Sequence, residues 1–297
     1  MFLCVGASSR RVIEEAAQLR VHQIIASRRQ VDIGGGYTGL DQYQLVELVN
    51  RLSHSGTDVV RDHGGPDQGA KPDDGIESFD ADVDAGFDGL HIDVCKLPRE
   101  DQPATLVRLT ERYLSRRDDL FIQVGGERDE QAHLDVLLRA VLPVVVPRYA
   151  VIEAGGYIHA DRQCGSPYPV EHVAELTRRA NDLGVATVAH NFDWVGRRNR
   201  FADVMDAYNV APEFGQVEVR ALLTVLPFGT AQELLRRAYA TEAWRRWFDE
   251  GEGTWVARAE CAVRYVLEEP WARELSELND DQEFFVRSAI RNALVRG

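Results

Sequence analysis

Cysteine is scarce in this sequence, and its spacing excludes two kinds of stabilising cross-link. The chain of 297 residues has four cysteines, and no two of them form a Cys-x-x-Cys pair. Disulfide frameworks and structural zinc sites both use cysteines in closely spaced sets. We therefore expect neither, and the pattern predicts a protein of a reducing compartment.

Long apolar runs and a basic leader segment are also missing. The short apolar run at the N-terminus is closed by Arg10 and Arg11, and no later run reaches the length of a membrane-spanning helix. The net charge of −14 argues against a nucleic acid or an anionic membrane as the partner. We therefore expect a cytoplasmic protein with neither of these partners.

Lysine is nearly absent, since Lys71 and Lys96 are the only two in the chain. This leaves two residues for any mechanism that passes through an imine. Lys96 follows the fourth strand pattern and could serve a class I aldolase. We favour the alternative, a solvated lysine beside Pro98.

The sequence does contain a regular alternation of short β-type runs with helical patterns. Eight such alternations predict a closed parallel (β/α)₈ barrel rather than an open doubly wound sheet. No Gly-x-Gly-x-x-Gly motif follows the first run, which removes the main reason to prefer a dinucleotide-binding fold. The predicted strands cover residues 2–6, 22–26, 58–62, 89–94, 120–124, 149–154, 186–190 and 208–212.

Helix signals mark both the barrel and a C-terminal extension. Asp41 and Gln44 form a capping box ahead of an apolar helix face. Beyond residue 228 the pattern is helical throughout, and we expect a barrel over 1–228 and an extension over 229–297. The extension holds four of the five tryptophans, so we expect it to pack on the barrel or to form the interface of a homo-oligomer. The predicted helices there cover residues 230–249, 255–269 and 271–295, with Pro270 separating the last two.

Ionisable residues lie at the C-terminal ends of four predicted strands, which meet at one rim in such a barrel. Asp62 and His63 end the third strand, His91 and Asp93 the fourth, Glu153 the sixth, and His190 and Asp193 the seventh. Imidazoles and carboxylates together suit zinc or manganese. The predicted metal ligands are His63, Asp93, Glu153 and His190. The alternative is that one or two of them only orient true ligands, or that His91 and Asp93 form a buried pair that shapes the site.

Two carboxylates and a set of polar residues complete the predicted site. Asp62 and Asp193 are candidates for moving a proton. The glycine-rich segment 34–39 lacks the Gly-Lys-Ser/Thr of a P-loop and is expected to cover the rim. The loop after the last strand could hold a phosphate, although Glu213 would repel one and a hydroxyl is an equal alternative. The expected substrate-binding residues are His91, Tyr37, Thr38, Gln123, Asn191, Asn209 and Glu213.

In this order, the motifs resemble the class II tagatose-bisphosphate aldolase Z-subunit family, some of whose members are labelled tagatose-6-phosphate kinase. The motifs are Gly35-Gly-Tyr-Thr-Gly39, Asp62-His63-x-Gly-Pro66, Ala85-Gly-Phe-x-x-Leu-His91-Ile-Asp93, His190-x-x-Asp193 and Val219-Arg-Ala-Leu-Leu223. The resemblance spans about residues 20–225, with a shorter chain than is typical. Gln123-Val-Gly-Gly126 replaces an acidic motif of the family, and the family's sixth-strand acid falls near Tyr157.

The resemblance implies a TIM barrel that acts on ketose phosphates with a divalent metal. We expect a metal-dependent aldolase-type lyase that makes or breaks a carbon–carbon bond in a sugar or sugar phosphate. A sugar-phosphate 4-epimerase using the same retro-aldol step is the first alternative. A non-catalytic partner subunit of a class II aldolase is the second, and an isomerase working by proton transfer alone is the third.

Overall fold

Eight parallel strands close into a barrel in chain order, each hydrogen-bonded to the next and the eighth to the first. The computed structural model describes residues 2–53, 56–125, 131–154, 169–194 and 204–296. The predicted (β/α)₈ barrel is confirmed. Its strands are β1 (Phe2–Gly6), β2 (Gln23–Ser27), β3 (Asp58–Gly64), β4 (Gly89–Ile92), β5 (Phe121–Gly125), β6 (Tyr149–Glu153), β7 (Ala186–His190) and β8 (Ala207–Val210).

A helix follows each of the first six strands and the last one. The predicted capping box is confirmed, because Asp41 and Gln44 each accept the other's backbone N–H. The predicted end of the eighth strand at residue 212 is wrong, since Pro212 opens a helix, where its missing N–H costs nothing. The helices are α1 (Arg10–Gln18), α2 (Gln42–Ser53), α3 (Ile76–Ala85), α4 (Gln102–Leu114), α5 (Gln131–Val141), α6 (Val170–Asp182) and α7 (Pro212–Val225).

The strand pleat separates a helix-facing core from a plug inside the barrel. On β4, Leu90 and Ile92 belong to the large core between strands and helices, and His91 lies on the opposite face. The plug is an apolar cluster, and its valines each stand two residues before an ionisable residue on the same strand. These valines are Val60 before Asp62, Val151 before Glu153 and Val188 before His190. The interior is therefore apolar below and ionisable at its C-terminal rim.

Five further segments follow α7, and their boundaries differ from the predicted ones. They are α8 (Phe228–Ala240), a 3₁₀ turn (Ala243–Arg246), α9 (Trp255–Val263), α10 (Pro270–Leu275) and α11 (Asp280–Arg296). Pro270 begins a helix, and the helix before it already ends at Val263 rather than at residue 269. The single helix predicted over 271–295 is wrong, because Asn279 and Gln282 form a reciprocal cap that starts α11 afresh.

The last helix returns to the barrel wall, between α7 and α1. Val286, Ile290 and Leu294 of α11 join the main core, and Arg287 pairs with Glu14 of α1. The segments from α8 to α10 instead build a second apolar cluster against α7. The division at residue 228 stays a prediction. None of the described helices combines the length and apolar character needed to cross a membrane.

Candidate functional site

A break in the regular pleat of β3 brings two consecutive ionisable residues into the barrel. In a regular strand Asp62 and His63 would point to opposite faces. Here the pairing of β3 with β4 shifts register between Arg61 and Gly64, and His63 has a φ of 48°. Such a bulge re-aims a side chain. It turns the His63 imidazole back toward the interior, beside the Asp62 carboxylate.

Arg61 lies on β3 between Val60 of the plug and Asp62, and its side chain is fixed on the outer face of the strand. Its guanidinium is fully buried and donates to both carboxylate oxygens of Asp82 on α3, at 2.8 and 2.5 Å. It also donates to the backbone carbonyls of Ala26 and Val31. A buried, hydrogen-bonded ion pair of this kind fixes geometry more than it adds stability. It ties the end of β3 to α3 and to the end of β2.

Two imidazoles meet at the rim, and each is oriented by its own carboxylate. His63 Nε2 lies 2.5 Å from His190 Nε2. On the far side of each ring, His63 Nδ1 lies 2.7 Å from Asp93 Oδ2, and His190 Nδ1 lies 3.2 Å from Glu153 Oε2. Since an ionised carboxylate can only accept, both Nδ1 atoms carry a hydrogen. The two Nε2 atoms therefore face each other across the rim.

A third imidazole, His91, lies next to this pair and beside Asp62. Its Nδ1 is 3.6 Å from Asp62 Oδ1 and accepts the His63 backbone N–H at 3.4 Å. Its Nε2 donates to the Gly125 carbonyl at 3.2 Å. Gly125 has a φ of 154°, and a Cβ there would collide with the backbone of Val151. Only glycine fits this position, whose carbonyl fixes the His91 ring.

The histidines reverse the usual effect of burial on the carboxylates. Burial raises the pKa of Asp62 and of Asp93, but His63 and His91 lower it more, so that the pKa of Asp62 falls well below its ordinary range and that of Asp93 falls to about 2. Burial and His63 lower the pKa of His190, whereas Glu153 raises it, and the net shift is upward. The site therefore keeps Asp62 and Asp93 ionised.

Asp193 and Glu213 form a separate clamp at the start of α7. Asp193 Oδ1 accepts the backbone N–H of Ala211 at 3.0 Å and of Glu213 at 2.7 Å. Glu213 Oε2 in turn accepts the backbone N–H of Trp194 at 2.5 Å. Burial raises the pKa of Asp193 to about 7, with Glu213 adding to the rise, because the two backbone donors compensate only in part. These contacts hold the loop after β7 against α7.

The remaining predicted substrate contacts lie in three places. Thr38 donates its hydroxyl to the Gln30 carbonyl at 2.7 Å inside its loop, and Tyr37 packs edge-on against Tyr265 at 4.9 Å between centroids. Gln123 donates to Gln23 at 3.2 Å inside the barrel.

The other two predicted contacts flank the seventh-strand loop. Asn191 directly follows His190 with a φ of 52°. Asn209 is buried on β8, and its backbone carbonyl accepts the Phe192 N–H at 2.8 Å.

The sequence patterns predicted the ionisable residues at the rim. They did not indicate two further residues, Gly125 and Arg61, that help to position them. Gly125 orients His91 through its backbone carbonyl, and Arg61 secures the strand that carries Asp62. The glycine pair at 125–126 after the fifth strand was the available signal for the first. An arginine inside an apolar run was the signal for the second. The family's sixth-strand position near Tyr157 lies outside the described residues.

The sequence matches no protein-family model and no curated protein. The fold is similar to that of a probable tagatose 6 phosphate kinase from Sinorhizobium meliloti 1021, with a TM-score of 0.75 at 18% identity over 99% of this chain and 98% of that one. A fructose-bisphosphate aldolase from Campylobacter jejuni gives 0.55 at 12% identity, over 90% and 88%. The YdjI aldolase from Escherichia coli K12 gives 0.53 at 10%, over 95% and 93%. At these identities the likeness establishes the fold.

Proposed function

We propose that this protein is a metal-dependent aldolase-type lyase that makes or breaks a carbon–carbon bond in a sugar or sugar phosphate. The observation that carries the proposal is the meeting of His63 and His190, each backed by a carboxylate, beside ionised Asp62. Paired imidazoles with a neighbouring base are the arrangement that metal-assisted proton transfer needs.

The donor atoms fit a divalent metal ion. The Nε2 atoms of His63 and His190 lie 2.5 Å apart and converge on one point, where both would offer a nitrogen ligand to an ion. Ligand atoms of Asp62, His63 and His91 also lie within 4.8 Å of one another. Imidazole and carboxylate donors suit zinc or manganese. We propose that His63 and His190 would hold the ion.

The four-ligand set predicted from the sequence changes accordingly. Asp93 and Glu153 each engage the Nδ1 of a histidine, which is the usual place of a carboxylate that orients a ligand. We therefore propose that these two acids fix the rotation and tautomer of His63 and His190. This was one of the alternatives left open by the sequence.

Asp62 is the group that we propose moves the proton. When bound, a divalent ion supplies positive charge that offsets the negative charge developing next to a carbonyl as the bond breaks. Asp62 Oδ1 lies 3.9 Å from His63 Nε2, and its carboxylate is ionised, so it has a lone pair beside the ion that can accept a hydroxyl proton. Asp193 has its own backbone partners and a raised pKa, so we give it a smaller part, holding the loop after β7.

The neighbours in fold support this choice among the chemistries of the barrel. Two of them are named as aldolases and one as a probable tagatose 6 phosphate kinase. Because one barrel fold hosts many reactions, the proposed function depends on the residues of the site, and the neighbours only support it. A ketose phosphate is the substrate class that the names of these neighbours favour.

The test is to incubate the purified chain, supplied with zinc or manganese, with ketose 6-phosphates and ketose 1,6-bisphosphates, and to follow the products by NMR. Release of an aldehyde and a three-carbon ketone supports the lyase. Accumulation of the 4-epimer without release indicates the epimerase. Activity only after a second class II barrel chain is added indicates the partner subunit. Turnover that is unchanged after the metal has been removed contradicts all three.

A further inference from the structure

Arg264, in the turn that follows α9, is a buried cation without a carboxylate partner. Three arginines in the described part of the chain are buried. Arg28 pairs with Asp32 and Asp73, and Arg61 pairs with Asp82. Arg264 is only 6% exposed, yet none of the described carboxylates forms an ion pair with it. Burying a charge without a counter-charge costs free energy, and a bound anion at this position would offset that cost.

The guanidinium has donors to spare. It gives one hydrogen bond to the Pro212 carbonyl at 3.2 Å and one to Cys261 Sγ at 3.4 Å, and it stacks over the rings of Trp247 and Tyr265. Its Nε has no partner among the described residues. A guanidinium has five N–H groups, so most of its donor capacity remains for an oxyanion.

A second unpartnered donor lies at the same place. Ser8, directly after β1, is 3% exposed, and its hydroxyl has no hydrogen-bond partner in the described part of the chain. Both side chains meet over Gly215 in the first turns of α7. A Cβ at that position would lie 3.3 Å from both Ser8 Oγ and Arg264 Cδ. Glycine therefore lets Ser8 and the stem of Arg264 approach the backbone of α7 and each other closely.

Two helices begin around this point, so their positive ends add to the guanidinium charge. Helix α1 begins at Arg10, capped by Ser9, and has no acidic residue in its first turn. Helix α7 begins at Pro212, and the carboxylate of Glu213 in its first turn is directed to the Trp194 N–H. Two further acids lie nearby: Asp193, whose pKa of about 7 reduces its negative charge near neutral pH, and Glu218 of α7, which pairs with Arg11.

We propose that Ser8 and Arg264 bind the phosphate group of the substrate over Gly215. The inference rests on the proposed function, because it places this subsite on the rim that carries His63 and His190. Ser8 follows β1 and Pro212 follows β8, and the clamp at Asp193 lies three residues after His190. The C-terminal extension thereby contributes a specificity residue, since Arg264 belongs to it.

Direct binding of inorganic phosphate tests the subsite without any activity assay. Calorimetry at constant ionic strength should show saturable binding to the full-length protein. Arg264→Met removes the charge and should weaken phosphate binding at least about 100-fold. Ser8→Ala removes one hydrogen bond to an anion and should weaken it about tenfold. Arg246→Met is the matched control, because Arg246 is exposed and stacks on the same Tyr265 ring, and it should change binding less than about threefold.

Each outcome bears on the proposal. If Arg264→Met does not fold, Ser8→Ala and the rise of the wild-type melting temperature with phosphate, but not with sodium chloride, carry the test. Absence of saturable phosphate binding, equal binding by all variants, or equal stabilisation by acetate overturns it. Phosphate binding by a protein that binds no metal would instead defeat the proposed function alone. Metal binding at the histidines without phosphate binding would defeat the subsite alone.

Discussion

Two sets of buried or half-buried acids on the same rim differ in the groups that face them. Asp62 and Asp93 face imidazoles, which lower the pKa of both carboxyls although burial raises it. Asp193 faces two backbone N–H groups and Glu213, and burial wins there, raising its pKa to about 7. Burial alone does not fix the charge of an acid, because the neighbouring groups decide it.

This difference separates the acids that we propose take part in the reaction from the acids that hold the rim together. The ionised carboxylates lie beside histidines whose Nε2 atoms converge, so the negative charge is held next to the paired imidazoles. The clamp at Asp193 uses one carboxylate oxygen to close a helix N-terminus and leaves the other without a partner among the described residues. Both sets come from the same sequence pattern, an acid just after a strand.

The Asp62→Asn variant tests the role of the ionised set, because it keeps the shape of the side chain and removes the base. We expect turnover to fall by about 10²- to 10⁴-fold, with metal content unchanged. The matched control is Asp58→Asn, at the opposite end of β3, which should change turnover less than about twofold. Steady-state kinetics with metal analysis checks both, and a fully active Asp62→Asn protein would remove Asp62 from the mechanism.

Asp93→Asn and Glu153→Gln test the orienting acids. Each variant weakens the hold on the Nδ1 of one histidine, so we expect metal affinity and turnover to fall about 10- to 100-fold. A competition titration against a metal-binding dye measures the affinity. Complete loss of metal in either variant would instead favour a direct ligand.

Asp193→Asn should act on the pH dependence of stability. Because the folded pKa of Asp193 lies above its ordinary value, the folded state holds the proton longer, so its contribution to stability is present at low pH and is lost as pH rises from about 4 to about 7. The loss is at most about 4 kcal/mol, since each pKa unit is worth about 1.4 kcal/mol. Asparagine keeps the cap acceptor, so denaturant unfolding at pH 5 and pH 8 should show a smaller difference in the variant. An unchanged difference would contradict a raised pKa.

Thr38→Val should have the smallest effect. The Thr38 hydroxyl bonds the Gln30 carbonyl within its own loop, so its loss should cost about 1 kcal/mol of stability. We expect KM for the substrate to change less than about threefold. A larger rise in KM, with stability intact, would restore Thr38 as a substrate contact.

Much of the fold follows from the sequence because strand and helix periods are local signals. The runs that predicted β3 and β7 end at residues that do reach the rim. The turn of His63 into the barrel could not be predicted, because it depends on a register shift against β4. The different environments of Asp62 and Asp193 could not be predicted either, because they depend on which groups contact each carboxylate in the fold. The position of Arg264 near Ser8 could not be predicted, because the two residues are far apart in the sequence and no local pattern links them.

The most direct test of the account is metal analysis of the chelator-stripped chain after titration with zinc or manganese. We expect about one ion per chain, and activity that is lost on chelation and regained on titration. His190→Ala should lower the affinity by far more than His172→Ala, a matched control in the first turn of α6. Full activity after exhaustive chelation, with no ion bound, would contradict the central claim that His63 and His190 hold a catalytic metal.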